Sequence, residues 1–395
     1  MKTTDFSIPN KVIIWGNDNS NTLAVLRQLA ANNINTFLVI NKANKLCATK
    51  SKYCKTYKVT KDFHEGLQYI IDTFSHEKPK PILFCTGDLS AEQIDQHRNE
   101  LSNYFYIQGT TEQGLVTKVL DKNYMVTMAN KHGIVVPQSI EYAQGKLYDK
   151  VKEAERTIND VVYPCLIKPA KNVLGEAKEF KTKICHNNNE LQTLLDTLNK
   201  RKTYLIQDYI KREYDVVVYG CRCLDGHVEI PGAAVRLRGG EDGDTTYGYL
   251  TPNVPKQINI NSIQSFLEDI SFYGIFSFEY GIAEDKAYFW EVNLRNDATS
   301  MWFGDAEANI PLLWVMDVTG NSISTVPRKI KCKAFFINEV EDYKHVKKGV
   351  VSKQQWRKEL SEATLLKFRV KGDTNPYKWQ KLYEFVRNIY HQFRR

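Results

Sequence analysis

The segment from Phe276 to Arg295 constrains the fold more than any other, because it predicts two strands joined by a short polar turn. The strands are expected at 275–282 and 286–293, with Ala283-Glu284-Asp285 as the turn. Side chains alternate along a strand, so one face of the second strand should carry polar groups and the other apolar groups. The polar face would hold Glu291, Asn293 and Arg295, and the apolar face Trp290, Val292 and Leu294.

The polar face of this hairpin has the chemistry of a metal site. Glu279, on the first strand, is expected across from Glu291, so two carboxylates and the Asn293 amide would converge. Such hard oxygen ligands hold Mg²⁺ beside a phosphate chain, with few groups from the protein. Arg295 lies one alternation further, where its guanidinium could bind a phosphate or a carboxylate through two parallel hydrogen bonds. From spacing alone, a hairpin with a merely solvated polar face remains an open alternative.

The first part of the chain alternates strands and helices. Apolar runs predict strands at 12–15, 36–40 and 81–85, with a helix between the first two. This order predicts an α/β fold in which helices cover both faces of a parallel sheet. The first strand ends in the single Gly16, which does not match the GxGxxG fingerprint of dinucleotide-binding proteins.

Further elements follow along the chain. Helices are predicted at 120–133, 189–198 and 262–273, and strands at 161–168, 204–207, 214–223 and 227–238. Lys122 opens the first of these helices and Lys168 ends a buried strand, where each could reach phosphates, although an isolated lysine of this kind is usually solvated. The strand at 204–207 runs into a polar break at Asp208, where backbone groups become free to bind the edge of a ligand.

Composition excludes several classes of protein. The 395 residues are 42% hydrophobic and 25% charged, which is ordinary for globular domains. No apolar run is long enough for a transmembrane helix, and the N-terminus lacks the pattern of a signal peptide, so a cytoplasmic protein is expected. The eight cysteines include no second pair at zinc-binding spacing and are interpreted as reduced thiols.

The positive charge is concentrated at the C-terminal end. Residues 344–395 have a net charge of +10, whereas the whole chain has +8, so the remainder carries −2. A nearly neutral body argues against a nucleic-acid partner. Within this tail, 379–393 predicts an amphipathic helix. Its apolar stripe would consist of Trp379, Leu382, Tyr383, Val386, Ile389, Tyr390 and Phe393. The stripe could pack on its own domain, on a second subunit in a homodimer, or on anionic lipid at a membrane surface.

The ordered motifs resemble those of the ATP-grasp superfamily. They are Asp121-Lys122, Tyr163-Pro-Cys-Leu-Ile-Lys168-Pro, Ile206-Gln-Asp-Tyr-Ile210, Phe278-Glu279 and Glu291-Val-Asn-Leu-Arg295. The match covers most of residues 10–320, and its last motif is the most specific. The resemblance implies an N-terminal parallel-sheet domain at 1–113 and a two-lobed ATP-grasp domain at 114–330, followed by a basic extension at 331–395. Within the ATP-grasp domain it implies a mobile lid at 135–205 and a catalytic lobe at 206–330.

The resemblance also implies roles for individual residues. Lys122 and Lys168 would hold the phosphates of ATP, while Gln207 and the backbone of Asp208 and Ile210 would recognise adenine. Glu213 would accept the ribose hydroxyls, with Asp215 the less favoured choice. Glu279, Glu291 and Asn293 would bind Mg²⁺, or Mn²⁺ in its place. The catalytic arginines would be Arg295, which would contact the transferred phosphate or the acyl group, and Arg236 and Arg238, which would face the γ-phosphate and the acid substrate.

The implied activity is that of an ATP-dependent carboxylate–amine ligase, similar to D-aspartate ligase-like and carbamoyl-phosphate-synthetase-like members of the superfamily. Such an enzyme activates a carboxylate as an acyl phosphate and couples it to an amine, such as an amino acid or an amino sugar. A phosphotransferase acting on a hydroxyl or phosphate acceptor and a nucleotide-binding regulator are the alternatives. The chain departs from the family pattern in two places. The loop at 170–177 has one glycine, so either Lys171 or Lys178 would bind the phosphates or the loop would close less tightly over them. In addition, Leu294 replaces the usual proline.

Overall fold

The computed structural model describes residues 8–41, 47–149, 151–170, 180, 182–239 and 245–393. Within these ranges the strands form three sheets that follow one another along the chain. The helices are α1 (Ser20–Ala30), α2 (Phe63–Phe74), α3 (Asp88–Gln96), α4 (Arg98–Tyr104), α5 (Leu115–Val119), α6 (Lys122–Lys131), α7 (Asn188–Thr197), α8 (Ile260–Asp269), α9 (Ser300–Asp305), α10 (Ile310–Val318), α11 (Tyr343–Lys347), α12 (Lys353–Glu362) and α13 (Asn375–Phe393).

The first sheet is parallel, with the strand order β3-β2-β1-β4-β5. Its strands are β1 (Val12–Gly16), β2 (Thr36–Asn41), β3 (Tyr57–Thr60), β4 (Ile82–Cys85) and β5 (Tyr106–Ile107). Every residue of β1 is buried, because Ile14 packs into a core on one face of the sheet and Ile13 into a second core on the other. The predicted α/β class, with helices on both faces of a parallel sheet, is confirmed.

The second sheet is antiparallel between all paired strands, with the order β10-β9-β11-β6-β7-β8. Its strands are β6 (Ser139–Ala143), β7 (Lys146–Asp149), β8 (Ala154–Arg156), β9 (Cys165–Pro169), β10 (Lys183–Cys185) and β11 (Thr203–Asp208). The strand predicted at 161–168 begins only at Cys165, since Pro164 has no N–H for the ladder.

The third sheet has the order β17-β16-β12-β14-β15-β18-β19, and β13 pairs with β12 beside it. Its strands are β12 (Tyr214–Arg222), β13 (Val228–Glu229), β14 (Ala233–Gly239), β15 (Thr245–Thr251), β16 (Gly274–Ala283), β17 (Lys286–Asn293), β18 (Ala334–Ile337) and β19 (Leu365–Leu366). The strand predicted at 227–238 is therefore divided into β13 and β14. Strands β18 and β19, from the expected basic extension, extend this sheet.

Aromatic packing joins the first sheet to the third. Phe84 of β4 lies edge-on to Trp314 of α10, with ring centroids 5.1 Å apart. Trp302 of α9 stacks on Phe336 of β18 at 3.9 Å. Because α9 and α10 belong to one buried core with both sheets, the carboxyl ends of β1 and β4 are held beside the third sheet.

The hairpin of β16 and β17 forms with the predicted turn. Glu284 and Asp285 have φ values of 50° and 57°, and Ala283 pairs with Lys286 across them. Positive φ at both central residues is what a two-residue hairpin turn requires. The helix before this hairpin, predicted at 262–273, ends four residues early at Asp269.

A β-bulge in this hairpin changes the direction of one side chain. Glu279 pairs with Glu291, but the next pair is Tyr280 with Phe289, so Trp290 is an extra residue in its strand. The Trp290 indole N–H lies 3.4 Å from Asp215. The prediction that Trp290 shares the apolar face of Val292 and Leu294 is therefore wrong. An inserted residue breaks the strict alternation of side chains, which the sequence pattern assumed.

The helix α13 packs through a different face from the predicted apolar stripe. Its inward side carries Pro376, Gln380 and Glu384, and Glu384 forms an ion pair of 3.6 Å with Lys344. The outward side carries the exposed residues Leu382, Phe385, Val386 and Ile389. Packing of the whole stripe on its own domain is thus contradicted. The side chains of Tyr390 and Phe393 lie outside the described part of the chain. No helix among the described residues combines the length and apolarity needed to cross a membrane.

Candidate active site

A pair of facing carboxylates forms the centre of the candidate site. Glu279 and Glu291 are direct partners across β16 and β17. The Asn293 amide donates to Ser277 Oγ at 3.2 Å and, more weakly, to Glu279 Oε1 at 3.5 Å. Burial, and then the negative charge of Glu291, raise the pKa of Glu279 to about 8. Two carboxylates that repel each other in a buried position form a site that a cation would stabilise.

This donor set fits a magnesium ion that shares its coordination with phosphates. Over the described ranges, no group of three or more His, Cys, Asp or Glu side chains is arranged to enclose a metal. Two carboxylates and one amide are too few for a metal held by protein alone. They are, however, the small number of oxygen ligands that Mg²⁺ takes from a protein when nucleotide and water supply the others.

Arg236 lies at the carboxylate pair. Its guanidinium is 3.5 Å from Glu279 and 3.5 Å from Asp215, and its Nε donates to Thr245 Oγ1 at 2.8 Å. Arg238 instead forms ion pairs with Asp342 at 2.7 Å and with Glu359 at 2.6 Å. Burial lowers the pKa of Arg238, but these two carboxylates raise it overall. The expectation that both arginines face the γ-phosphate thus has geometric support for Arg236, whereas the ion pairs of Arg238 connect it to the C-terminal extension.

Arg295 connects the hairpin to the first sheet. Its Nε forms an ion pair of 2.6 Å with Asp88, and its Nη1 donates to the Asn296 carbonyl at 3.0 Å. Burial lowers the pKa of Arg295, but Asp88, followed by Asp297 and Glu291, raises it overall, so the guanidinium stays charged. Asp88 was not predicted as a site residue. Its position just after β4, at the carboxyl edge of a parallel sheet, is the signal that could have indicated it.

The two lysines converge from the second sheet and α6. Burial and then the charge of Lys122 lower the pKa of Lys168, the charge of Glu291 opposes them, and the resulting pKa is about 8. Lys122 Nζ is 3.4 Å from the Pro169 carbonyl, and its backbone N–H donates to Ala170 at 3.3 Å. Lys168 therefore lies near both Lys122 and Glu291, and the two ammonium groups together can neutralise an anion.

The predicted adenine-recognition residues lie where β11 leaves the second sheet for β12. The Gln207 side chain donates to Ser139 Oγ at 2.8 Å. The Asp208 N–H donates to the Gln138 carbonyl at 3.1 Å. By contrast, the N–H of Ile210 has no hydrogen-bond partner in the described ranges of the chain. Among these residues, Ile210 is the one with a backbone donor open to a ligand.

Two carboxylates, Glu213 and Asp215, follow β11 and differ in their exposure and in their ion pairs. Glu213 is exposed, and its backbone N–H donates to Ile282 at 2.7 Å. Asp215 is buried and forms ion pairs with Arg212 at 2.6 Å and with Arg236. The carboxylate of Asp215 is thus already neutralised by two arginines, and the choice of Glu213 over Asp215 as the ribose ligand stays a prediction. Lys171, Lys178 and the loop after Gly239 lie outside the described residues.

Asp297 is a second residue that the sequence did not indicate. Its side chain is 8% exposed, and Oδ1 accepts a hydrogen bond of 2.6 Å from the Thr299 N–H. It lies close enough to raise the pKa of both Glu279 and Arg295. Three acidic groups, Asp88, Asp297 and Glu291, thus lie near Arg295, and the sequence motifs had indicated only Glu291 among them.

A parallel sheet, followed by an antiparallel sheet that carries Lys168 and by a larger sheet that carries the pair of Glu279 and Glu291, is the arrangement of the ATP-grasp fold. Comparison with known proteins agrees, and the resemblance to the ATP-grasp superfamily is confirmed at the level of the fold. One curated relative is D-aspartate ligase from Enterococcus faecium, 23% identical over 248 residues. The alignment covers 58% of this chain and 57% of the ligase, so the chain matches little more than half the length of that relative. No protein-family model matches the chain.

Solved structures share the fold over most of the chain. N5-carboxyaminoimidazole synthetase from Staphylococcus aureus, complexed with ADP, is 14% identical with a TM-score of 0.63, covering 88% of this chain and 87% of that one. The biotin carboxylase domain of 2-oxoglutarate carboxylase from Hydrogenobacter thermophilus is 16% identical with a TM-score of 0.62, covering 82% and 73%. The latter is a dimer in complex with MgADP and bicarbonate. ADP and magnesium are therefore ligands of proteins with this fold.

Proposed function

We propose that the protein is an ATP-dependent, ADP-forming ligase that activates a carboxylate as an acyl phosphate and joins it to an amine. The observation that carries the proposal is the facing pair of Glu279 and Glu291, which lies close enough to Lys168 and Arg295 for the charge of Glu291 to act on both. D-Aspartate is the first carboxylate to test, because a D-aspartate ligase is a curated relative.

The chemistry that Mg-ATP would supply is a phosphoryl group that turns carboxylate oxygen into a leaving group. Glu279, Glu291 and Asn293 would hold the metal through three oxygens on one face of the hairpin. Lys122 and Lys168 would neutralise phosphate charge in a site from which burial has removed most water. Because fixed charges in a dry site need no reorganisation, they stabilise the transition state more than they would in solution.

Arg295 and Arg236 would orient the acid substrate. The ion pair with Asp88 holds the Arg295 side chain in position before any substrate arrives. Such preorganisation favours attack of the carboxylate on phosphorus, because fewer groups must be ordered in the transition state. The proposed lid, 135–205, joins the catalytic lobe through the short link at 209–213, which allows it to close over the acyl phosphate and exclude water.

Two other functions predict different products. A phosphotransferase would release ADP together with a phosphorylated acceptor, and a regulator would bind nucleotide without consuming it. We therefore propose incubation with Mg-ATP, D-aspartate and a pool of amino acids and amino sugars, with ADP, inorganic phosphate and new amides measured together. The ligase proposal predicts equal amounts of the three products. Formation of ADP together with a stable phosphorylated product would contradict the ligase proposal. Failure to form ADP with any of the acids would contradict it as well.

We further propose that the enzyme works in the cytoplasm and touches a membrane surface through α13. The exposed fractions of Leu382, Phe385 and Val386 are 47%, 63% and 56%. These apolar side chains lie beside the exposed Lys378 and Lys381 in a segment of net charge +10. A second copy would bring basic residues against basic residues, whereas an anionic lipid surface complements both the charge and the apolar face.

A further inference from the structure

The Asp297 carboxylate contains a buried oxygen that lacks a partner. Oδ1 accepts the hydrogen bond from Thr299, but Oδ2 is buried and pairs with no donor in the described part of the chain. A buried carboxylate oxygen without a hydrogen bond destabilises the fold, so such atoms normally have a partner in the working protein. A bound group is therefore expected to donate to Oδ2.

The neighbours of Asp297 keep it in one position. Asn296 accepts a hydrogen bond of 2.8 Å from the Tyr219 hydroxyl and donates to Ser300 Oγ at 3.0 Å. The same amide donates to the side-chain oxygen of Asn21, which lies in the first turn of α1. Asp297 thus lies where the first and third sheets meet, two residues beyond Arg295. Its electrostatic effect on both Arg295 and Glu279 indicates that it belongs to the same site.

We infer that Asp297 binds the ammonium form of the amine substrate, next to the carboxylate held by Arg295. The inference rests on the ligase function proposed above. A buried carboxylate oxygen near Glu279 selects a cation that donates hydrogen bonds, and the amine is the reactant with such a form. Its nitrogen would then lie near the acyl carbon that it attacks.

The step balances with the groups already named. The nitrogen forms the new bond to the acyl carbon, and the bond from that carbon to the phosphate oxygen breaks, so phosphate leaves with the electron pair. The ammonium nitrogen gives up two protons on the way to the amide. One ends on the departing phosphate and the other passes to solvent. Asp297 acts by binding and orienting the nucleophile.

Two small nucleophiles of nearly equal size test this role. The assays contain Mg-ATP and D-aspartate, or another acid if that acid is the one that supports ADP release. Hydroxylamine then traps the acyl phosphate as a hydroxamate, while methylamine gives an amide. At neutral pH hydroxylamine is uncharged and methylamine is a cation. Asp297→Asn should lower kcat/KM for methylamine about tenfold or more and change that for hydroxylamine by less than about twofold. The matched control is Asp317→Asn, which alters a carboxylate that accepts from the Leu224 N–H far from the site.

The assignment would be overturned if Asp297→Asn lowered kcat/KM equally for both nucleophiles or lowered it for neither. It would also be overturned if the wild-type enzyme used hydroxylamine but not methylamine. If Asp297→Asn fails to fold, the wild-type enzyme still decides the matter. Methylammonium should inhibit hydroxamate formation about tenfold more strongly than methanol, its uncharged counterpart, and equal inhibition would also overturn it. A wild-type enzyme that forms no hydroxamate with any acid would instead refute the ligase proposal itself.

Discussion

Glu279 and Glu291 face each other across β16 and β17, and burial together with the charge of Glu291 raises the pKa of Glu279 to about 8. Replacing Glu291 by Gln removes the negative charge of one metal ligand and leaves the volume of the side chain almost unchanged. We predict that Glu291→Gln lowers kcat by about a hundredfold or more. The melting temperature should stay equal or rise, because the repulsion between the two carboxylates disappears. Glu284→Gln, at the exposed turn of the same hairpin, is the control. Wild-type ADP production by Glu291→Gln would refute the assignment of the metal site.

Lys168 is expected to act on nucleotide rather than on stability. We predict that Lys168→Ala weakens ADP binding by about tenfold or more, since a buried ammonium near the phosphates is lost. Its melting temperature should change little, because burial of an ammonium group is itself unfavourable. Calorimetric titration with ADP and thermal unfolding measure the two effects, and Lys183→Ala, in the neighbouring strand, is the control. Unchanged ADP affinity with a large drop in melting temperature would show that the lysine is structural.

The lowered pKa of Lys168 predicts a pH dependence of nucleotide binding. Below its pKa of about 8 the side chain is a cation, and as the pH rises through about 8 the charge is lost. We therefore predict that ADP affinity falls between about pH 7 and about pH 9, and that Lys168→Arg, which stays charged, flattens this dependence. Titrations of both proteins at several pH values check the prediction. The same slope in both would mean that another group titrates.

The ion pair between Asp88 and Arg295 predicts that the first sheet contributes to recognition of the acid. Asp88→Asn should raise the KM for the carboxylate by about five- to tenfold, because Arg295 loses the group that orients it. ADP affinity should stay within about twofold, since neither residue is expected at the nucleotide base or ribose. Glu100→Gln, exposed on α4, is the control. If the KM for the carboxylate and the Kd for ADP changed equally, Asp88 would not act on binding of the acid alone.

The outward face of α13 predicts binding to anionic vesicles. Sedimentation with such vesicles should retain the full chain at low salt and lose it as salt screens the basic residues. Replacing Leu382, Phe385 and Val386 together by Ser should abolish retention, as should a chain ending near Asn375. Val350→Ser, which alters an exposed apolar residue outside the helix, should have no effect. Equal, negligible retention of wild-type and variant proteins would remove the membrane proposal.

The local pattern of the sequence determined the elements and part of the site. Apolar runs gave the buried strand β1, and the turn at Glu284 and Asp285 fixed the hairpin, in which Ala283 pairs with Lys286. These predictions succeeded because a hairpin is decided by its own turn and by side-chain alternation. Alternation failed at Trp290, where one extra residue in the strand reversed the direction that the pattern assigned.

Only the tertiary structure decided the contacts between distant segments. Asp88 meets Arg295 because α9 and α10 pack the first sheet against the third, and this depends on burial of apolar surface across more than 200 residues of sequence. Likewise, Arg238 is bound to Asp342 and Glu359, and α13 exposes Leu382 because its other face packs inward. Residue types and spacing define which chemistry a segment can offer. Which partner each charge finds is decided by the packing of whole sheets and helices, which no local pattern contains.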